Sequence, residues 1–181
     1  MYNNFKIVKV DYEYCDFLRK YDKKVSYNAG TKDLRPFVGV LFMIEKYQYF
    51  APLSSPKTKH KKLKNTLDLI KIKDGEYGVV NFNNMIPVTS KNYTLFDLNK
   101  KTENKEEKLR LQLLRKQLRW LTSNKDEIIK KSKLLYNLYK KDKLPNNVKD
   151  RCCNFPLLEK KCKLFGKNDI TESSCFLQSF S

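Results

Sequence analysis

The hydrophobic pattern divides the chain into a strand-rich first half and a helix-rich second half. Short runs of β-branched and aromatic residues, bounded by glycine, proline or asparagine, predict strands. They lie at residues 5–10, 36–44, 47–50, 69–72, 78–82 and 85–88. Runs 36–44 and 47–50 predict one hairpin, and a second hairpin turns at Asp74-Gly75. Pro87 would limit its strand to a sheet edge, because proline cannot donate to a ladder.

From about residue 103 the hydrophobic period becomes helical. Four leucines fall on one face of a predicted amphipathic helix: Leu111, Leu114, Leu118 and Leu121. Asn124, followed three residues on by Glu127, predicts a capping box that opens a second helix over residues 125–140. Residues 12–21 and 156–162 predict two shorter helices. Strands followed by helices predict an α+β fold, a compact antiparallel barrel-like sheet with added helices. We expect one domain over residues 1–166 and a loosely ordered tail over 167–181.

The chain is strongly basic. The chain carries 38 Lys and Arg against 20 Asp and Glu, a net charge of +18, and 13% of its residues are aromatic. A folded, strongly basic domain favours polyanionic partners such as nucleic acid, an anionic membrane or an acidic protein. The longest apolar run, residues 37–44, is too short to span a membrane, and the N-terminus lacks signal-peptide features. We therefore expect a cytoplasmic protein without a membrane span.

Several kinds of chemistry find no support in the sequence. The five cysteines form no CxxC motif, so reduced structural thiols are expected. Carboxylates are not clustered for metal binding, and no glycine-rich phosphate loop is present. Glu106 and Glu107 fit the start of a helix, where acidic residues favour the dipole. We therefore predict no metal site and no cofactor.

The most unusual segment follows the predicted strand 47–50. It contains Ser54, Ser55, Pro56 and Lys57, and five lysines fall within residues 57–64 without an acid. A solvated basic loop is the alternative reading. The pattern S-x-x-K of penicillin-recognising enzymes lacks its partner motifs here, and the single histidine, His60, has no nucleophile elbow beside it. Candidate RNA contacts in this segment are Lys59, His60, Lys61, Lys62 and Lys64.

Metal-free RNA cleavage remains as the chemistry that suits these residues. In that reaction the ribose 2′-hydroxyl attacks its own phosphodiester, so the protein supplies positioning, proton transfer and cations. Lys57, Ser54 and Ser55 fit such a site. Arg35 precedes the 36–44 strand and is placed to reach the same sheet rim, although a plain surface arginine is the alternative.

A basic helical segment is the second candidate surface. It runs through Arg115, Lys116, Gln117, Leu118, Arg119 and Trp120. An aromatic side chain among cations suits base stacking and phosphate contact. Trp120 lies off the leucine face, and packing against the sheet is its alternative role.

Several strings together resemble the ToxN/AbiQ family of type III toxin–antitoxin endoribonucleases. They are RPFVGV at 35–40, YFAPLSSPK at 49–57 with His60, NFNNMIPV at 81–88, KQL at 116–118 and CNFPLLE at 153–159. The resemblance covers about residues 5–166. It implies a fold similar to that of the Kid/MazF toxins. It also implies metal-independent cleavage of RNA that leaves a 2′,3′-cyclic phosphate.

The resemblance also implies partners and site residues. Such toxins cut cellular or phage RNA and are inhibited by a small repeat antitoxin RNA, a pseudoknot that the toxin cuts from a precursor. Protein and RNA form closed rings, and release during phage infection stops growth of the host. The family's catalytic segment falls on Ser54, Ser55, Pro56 and Lys57, and its preceding basic residue on Arg35. A family tyrosine aligns with Thr31, with Tyr27 nearby, while Gln117 and Trp120 match groove positions on a helix.

We therefore expect an endoribonuclease toxin with Lys57, Ser55, Ser54 and Arg35 as its catalytic residues. The leading alternative is a non-catalytic protein that binds structured RNA through the same basic surfaces. A membrane-surface or partner-binding module is a weaker alternative, because the helices mix acids with bases.

Overall fold

The computed structural model describes residues 5–26, 35–44 and 47–165 of the chain. The strands are β1 (Lys6–Val10), β2 (Pro36–Ile44), β3 (Tyr47–Ser54), β4 (Leu69–Lys71), β5 (Val79–Asn81), β6 (Ile86–Val88) and β7 (Tyr93–Leu95). The helices are α1 (Tyr12–Arg19), α2 (Thr58–Lys62), α3 (Lys105–Ser123), α4 (Lys125–Lys140), α5 (Asn146–Lys149) and α6 (Phe155–Cys162). Two single 3-10 turns occupy Lys73–Gly75 and Phe82–Asn84. The observed bounds of β2 and α4 equal the predicted ones.

The strands form one antiparallel sheet in the order β4-β5-β3-β2-β1-β7. The two predicted hairpins are present, because β2 pairs with β3 and β4 pairs with β5. β3 is longer than predicted. On one side it pairs with β6 through residues 48–50 and with β5 through residues 53–54. β6 pairs only with β3, as expected for a strand that contains Pro87.

The α+β class and the antiparallel sheet are confirmed, but the sheet does not close into a barrel. Among the described residues its edge strands, β4 and β7, do not pair with each other. Both are only three residues long. One side of β3 is also shared by two short strands, β5 and β6, instead of one long one.

An aromatic cluster joins the sheet to α4 and α6. The rings of Phe42 and Tyr49 stack with centroids 4.7 Å apart, and Tyr136 of α4 and Phe155 of α6 pack on them. Both tyrosine hydroxyls donate to Oε1 of Glu159, at 2.8 Å from Tyr49 and 2.6 Å from Tyr136. Burial, followed by the neighbouring carboxylate, raises the pKa of Tyr49 well above its usual value. The cluster therefore fixes both helices on the strands that carry the candidate site.

The capping prediction for α4 is wrong. The side chain of Asn124 accepts no capping hydrogen bond, and its Nδ2 donates instead to the carbonyl of Trp120 at 2.8 Å. The same residue is the C-cap of α3, so its amide satisfies the end of that helix. A side-chain cap is found at the start of α3, where Asn104 Oδ1 accepts from the backbone nitrogen of Glu107 at 2.9 Å.

The cysteines within the described ranges are buried and form no disulfide there. They are Cys15, Cys152, Cys153 and Cys162. Burial raises the pKa of Cys152 to about 12 and that of Cys153 further, so both thiols are unreactive at neutral pH. These four residues fit the predicted structural role. Cys175 and the predicted tail over 167–181 lie outside the described residues. None of the helices within residues 5–165 is long and apolar enough to cross a membrane.

Candidate active site

The predicted catalytic segment lies where β3 ends and α2 begins. Ser54 is the last residue of β3 and is half-buried, whereas Ser55, Pro56 and Lys57 are exposed. The backbone of Lys57 is extended immediately before α2, and its carbonyl accepts the backbone N–H of His60 at 2.8 Å. The sheet and a short helix therefore hold both ends of a four-residue segment in which Ser55 and Lys57 are exposed.

Two glycines let a neighbouring loop pack against this segment. A Cβ atom on Gly78 would lie 1.9 Å from the carbonyl oxygen of Ser54, and one on Gly75 would lie 2.7 Å from the carbonyl oxygen of His60. Both glycines have positive φ angles, +96° and +88°, which residues with a side chain rarely adopt. The loop over residues 75–78 thus packs against the backbone of the predicted catalytic segment and of α2.

Asn81 of β5 orients Ser54. Its Nδ2 donates to Ser54 Oγ at 3.0 Å and also lies 3.4 Å from the carbonyl oxygen of Pro52. Ser54 pairs with Val79 in the same two strands. Because the Asn81 amide donates to it, the Ser54 hydroxyl oxygen has a fixed position, whereas Ser55 is exposed.

Arg35 lies at the matching end of β2. Phe37 is opposite Pro52 in the β2–β3 ladder, and extending this antiparallel register by two residues brings Arg35 opposite Ser54. Arg35 is exposed, and its Nη1 lies 3.4 Å from Ser26 Oγ. The guanidinium and the catalytic segment therefore emerge from the same end of the sheet, as the sequence predicts.

His60, which the sequence predicts as an RNA contact, is buried. Its residue is only 4% exposed, on the inner side of α2 above Gly75. Within the described structure its buried Nδ1 has no hydrogen-bond partner. Burial, followed by the positive charges of Lys57 and Lys59, lowers the pKa of His60 below its usual 6.5. The imidazole is therefore neutral at physiological pH and packs beneath the lysine-bearing turn.

Gln117, which the sequence matches to a groove position on a helix, is also buried. It is 1% exposed, and its Nε2 donates to the carbonyl oxygen of Tyr77 at 2.7 Å. Its buried Oε1 has no partner in the part of the chain that the structure describes. Through this bond α3 holds the loop that carries Gly78, and Gly78 in turn abuts Ser54. Gln117 is thereby placed to act on the catalytic segment through the loop.

The other predicted residues of α3 differ in their surroundings. Arg115 is exposed, and its Nε donates to the carbonyl oxygen of Leu98 at 2.7 Å, so it anchors the chain before α3. The Lys116 ammonium lies 5.6 Å from the ring centroid of Tyr77. Arg119 is exposed, whereas Trp120 is half-buried and packs against the core, which is the alternative role noted for it.

The remaining lysines of the segment lie at the surface. Lys59, Lys61, Lys62 and Lys64 are all exposed on or just after α2. Tyr27 and Thr31, the two predicted RNA contacts before β2, lie outside the described residues. Across the ranges that the structure describes, no group of three or more His, Cys, Asp or Glu side chains is placed to hold a metal ion.

Sequence reasoning missed the contributions of Tyr77, Gly78 and Asn81. Asn81 lies in the family string at 81–88, so its position was visible, but its bond to Ser54 crosses 27 residues. For Gly78 the sequence predicts only the start of a strand. The turn chemistry of Asp74-Gly75 was visible too, yet nothing local shows that this turn packs under α2.

Comparison with known proteins identifies the family to which this basic α+β chain belongs. The profile of the family described as "Toxin ToxN, type III toxin-antitoxin system" matches residues 6–163. The Endoribonuclease ToxN of Bacillus thuringiensis subsp. kurstaki is 33% identical over 171 residues, which are 92% of this chain and 87% of that protein. The chain therefore belongs to the ToxN/AbiQ family of type III toxin–antitoxin endoribonucleases, as its motifs predict.

Solved structures agree with this assignment. A toxin studied for its selective inhibition by a non-coding RNA pseudoknot superposes with a TM-score of 0.76 at 31% identity, over 91% of this chain and 99% of that one. AbiQ, a lactococcal anti-phage endoribonuclease, superposes with a TM-score of 0.74 at 26% identity, also over 91% of this chain and 99% of AbiQ.

Proposed function

We propose that this protein is a metal-independent endoribonuclease toxin that cleaves single-stranded RNA by attack of the ribose 2′-hydroxyl. The observation that carries the proposal is the segment from Ser54 to Lys57, exposed from Ser55 on and held by β3, α2 and the loop at Gly78 in a chain of the ToxN family. Such a reaction needs a fixed arrangement of hydroxyl and cationic groups and no metal. It leaves a 2′,3′-cyclic phosphate on one product and a 5′-hydroxyl on the other.

The residues of the segment take different roles in this proposal. Lys57 and Arg35 face the charge that develops on the phosphorane, since both are exposed cations at one end of the sheet. Ser55 positions the phosphate or relays a proton with its exposed hydroxyl. Ser54, whose hydroxyl accepts from Asn81, supports Ser55 by fixing the backbone before it.

We propose that a small repeat RNA, folded as a pseudoknot and cut by the toxin from its precursor, is the inhibitor. The relative that is inhibited by a non-coding RNA pseudoknot supports this partner, as does the net charge of +18. The proposal also includes closed protein–RNA rings and cellular or phage RNA as the substrate. It further includes growth arrest of the host during phage infection and a cytoplasmic location. The likeness to the Kid/MazF fold stays a prediction.

The decisive experiment incubates the protein, in EDTA, with a mixed-sequence single-stranded RNA and maps the ends formed. Lys57→Ala is compared with Lys143→Ala, which removes an equally exposed lysine after α4. We expect discrete cuts with cyclic-phosphate ends, lost only in Lys57→Ala. Binding of diverse RNAs without any cut would support a non-catalytic RNA-binding protein instead. Cleavage that needs a divalent ion, or that survives Lys57→Ala, would refute the mechanism.

A further inference from the structure

Tyr77 stands directly beside the catalytic segment, and neither the sequence motifs nor the proposed chemistry gives it a role. It precedes Gly78, whose close approach to the Ser54 carbonyl leaves no room for a side chain. The tyrosine backbone therefore lies against the base of the segment from Ser54 to Lys57. The Tyr77 ring in turn lies near Lys116 of α3.

The backbone of Tyr77 is held in place. Its N–H donates to the carbonyl of Ile72 at 3.2 Å, and its carbonyl accepts from the buried Gln117 amide at 2.7 Å. Glycines with positive φ stand on either side, at positions 75 and 78. A ring carried on such a loop keeps its position relative to the catalytic segment, which lowers the entropy lost when a ligand binds.

Two cations from separate elements surround the Tyr77 ring. Lys73 Nζ lies 5.0 Å from the ring centroid and 3.2 Å from the hydroxyl, to which it donates, and Lys116 Nζ of α3 lies 5.6 Å from the centroid. Glu76 pairs with Lys73 at 3.0 Å on the exposed side. Tyr77 itself is half-buried: part of the residue packs against the core and the rest is accessible.

We propose that Tyr77, Lys73 and Lys116 form a subsite for a nucleotide that flanks the scissile phosphate. The base stacks on the accessible part of the ring, and the two ammonium groups, both on flexible stems, contact the adjoining phosphates. Aromatic side chains beside cations are the usual means of holding single-stranded RNA, because every base has a π face and every nucleotide a charge. This inference rests on the proposed function and adds to it where the substrate strand runs.

The test uses a short single-stranded RNA whose scissile nucleotide lacks its 2′-hydroxyl, so that it binds without being cut. A 2-aminopurine replaces each neighbouring base in turn, and its fluorescence is titrated with the protein. We expect strong quenching at one flanking position with the wild-type protein and its loss in Tyr77→Leu. Tyr77→Phe, which keeps the ring, restores most of that quenching. Tyr12→Leu removes an exposed tyrosine on α1 and serves as the matched control.

Kinetics on the cleavable RNA provide the second readout. Base–aromatic stacking is worth about 1–3 kcal/mol, so Tyr77→Leu should raise KM roughly 5- to 150-fold. Quenching that persists in Tyr77→Leu, or a KM within about twofold of wild type, would overturn the subsite. So would a Tyr77→Phe variant as impaired as Tyr77→Leu. If the wild-type protein itself cuts no RNA, the proposed function fails. The fluorescence titration then still reports whether a base stacks on Tyr77.

Discussion

The Gln117 amide nitrogen donates to the carbonyl oxygen of Tyr77 across 2.7 Å, and this bond ties α3 to the loop that supports the catalytic segment. Gln117→Leu removes the donor, so the Tyr77 carbonyl loses this hydrogen bond. We expect the free energy of unfolding to fall by about 1–3 kcal/mol, and kcat to fall more than KM rises. Gln112→Leu, an exposed position on the same helix, is the control. A rise in KM at constant kcat would show instead that Gln117 contacts RNA directly.

Gly78 allows the closest backbone approach in the site, so a side chain there should displace the catalytic segment. Gly78→Ala combines an unfavourable positive φ with a Cβ atom placed 1.9 Å from the Ser54 oxygen. The φ strain alone costs about 1–2 kcal/mol, and relief of the clash must shift Ser54. We expect RNA cleavage to be lost at temperatures where circular dichroism still shows a folded protein. Ser90→Ala, in an exposed turn, should change neither property. Full activity in Gly78→Ala would contradict the close packing.

His60 should make the stability of the protein depend on pH. Burial, then Lys57 and Lys59, hold its pKa in the folded state below the unfolded value of 6.5. The unfolded chain therefore binds more protons between the two values, so this contribution is complete above pH 6.5 and is lost as pH falls through the folded pKa. Urea unfolding between about pH 7.5 and 5.5 measures it. His60 is the only histidine, so the slope should flatten in His60→Gln. An unchanged slope of stability against pH in His60→Gln would show that other groups cause the pH dependence.

The lysines of α2 should set the salt dependence of RNA binding. Lys61, Lys62 and Lys64 are exposed beside the catalytic segment, and each phosphate contact on a single strand contributes about 0.7 to the slope of log K against log salt. Replacing all three by glutamine should lower that slope by up to about two units and weaken binding. A triple variant at Lys130, Lys141 and Lys143, equally exposed on or after α4, carries the same charge change. Equal effects of both variants would indicate non-specific attraction.

The elements that sequence reasoning missed are those without a periodic pattern of their own. β7 has one half-buried and two exposed residues, so Tyr93–Leu95 shows no alternation to recognise. α2 spans five residues and buries only His60, and it lies against the Lys73–Gly75 turn. By contrast, β2 and α4 carry long, regular patterns, and their predicted bounds agree with the structure.

The local sequence was enough to establish the α+β class and the family and to predict a catalytic role for the segment from Ser54 to Lys57, because hydrophobic period and contiguous motifs are local properties. Only the tertiary structure shows that His60 and Gln117 are buried. Both are polar residues in basic stretches, where composition predicts a solvated surface. Their surroundings come from Gly75 and Tyr77, 15 and 40 positions away. A hydrogen bond or a close approach across such a separation leaves no periodic trace in the sequence, since it depends on how the loop, the helices and the sheet pack together.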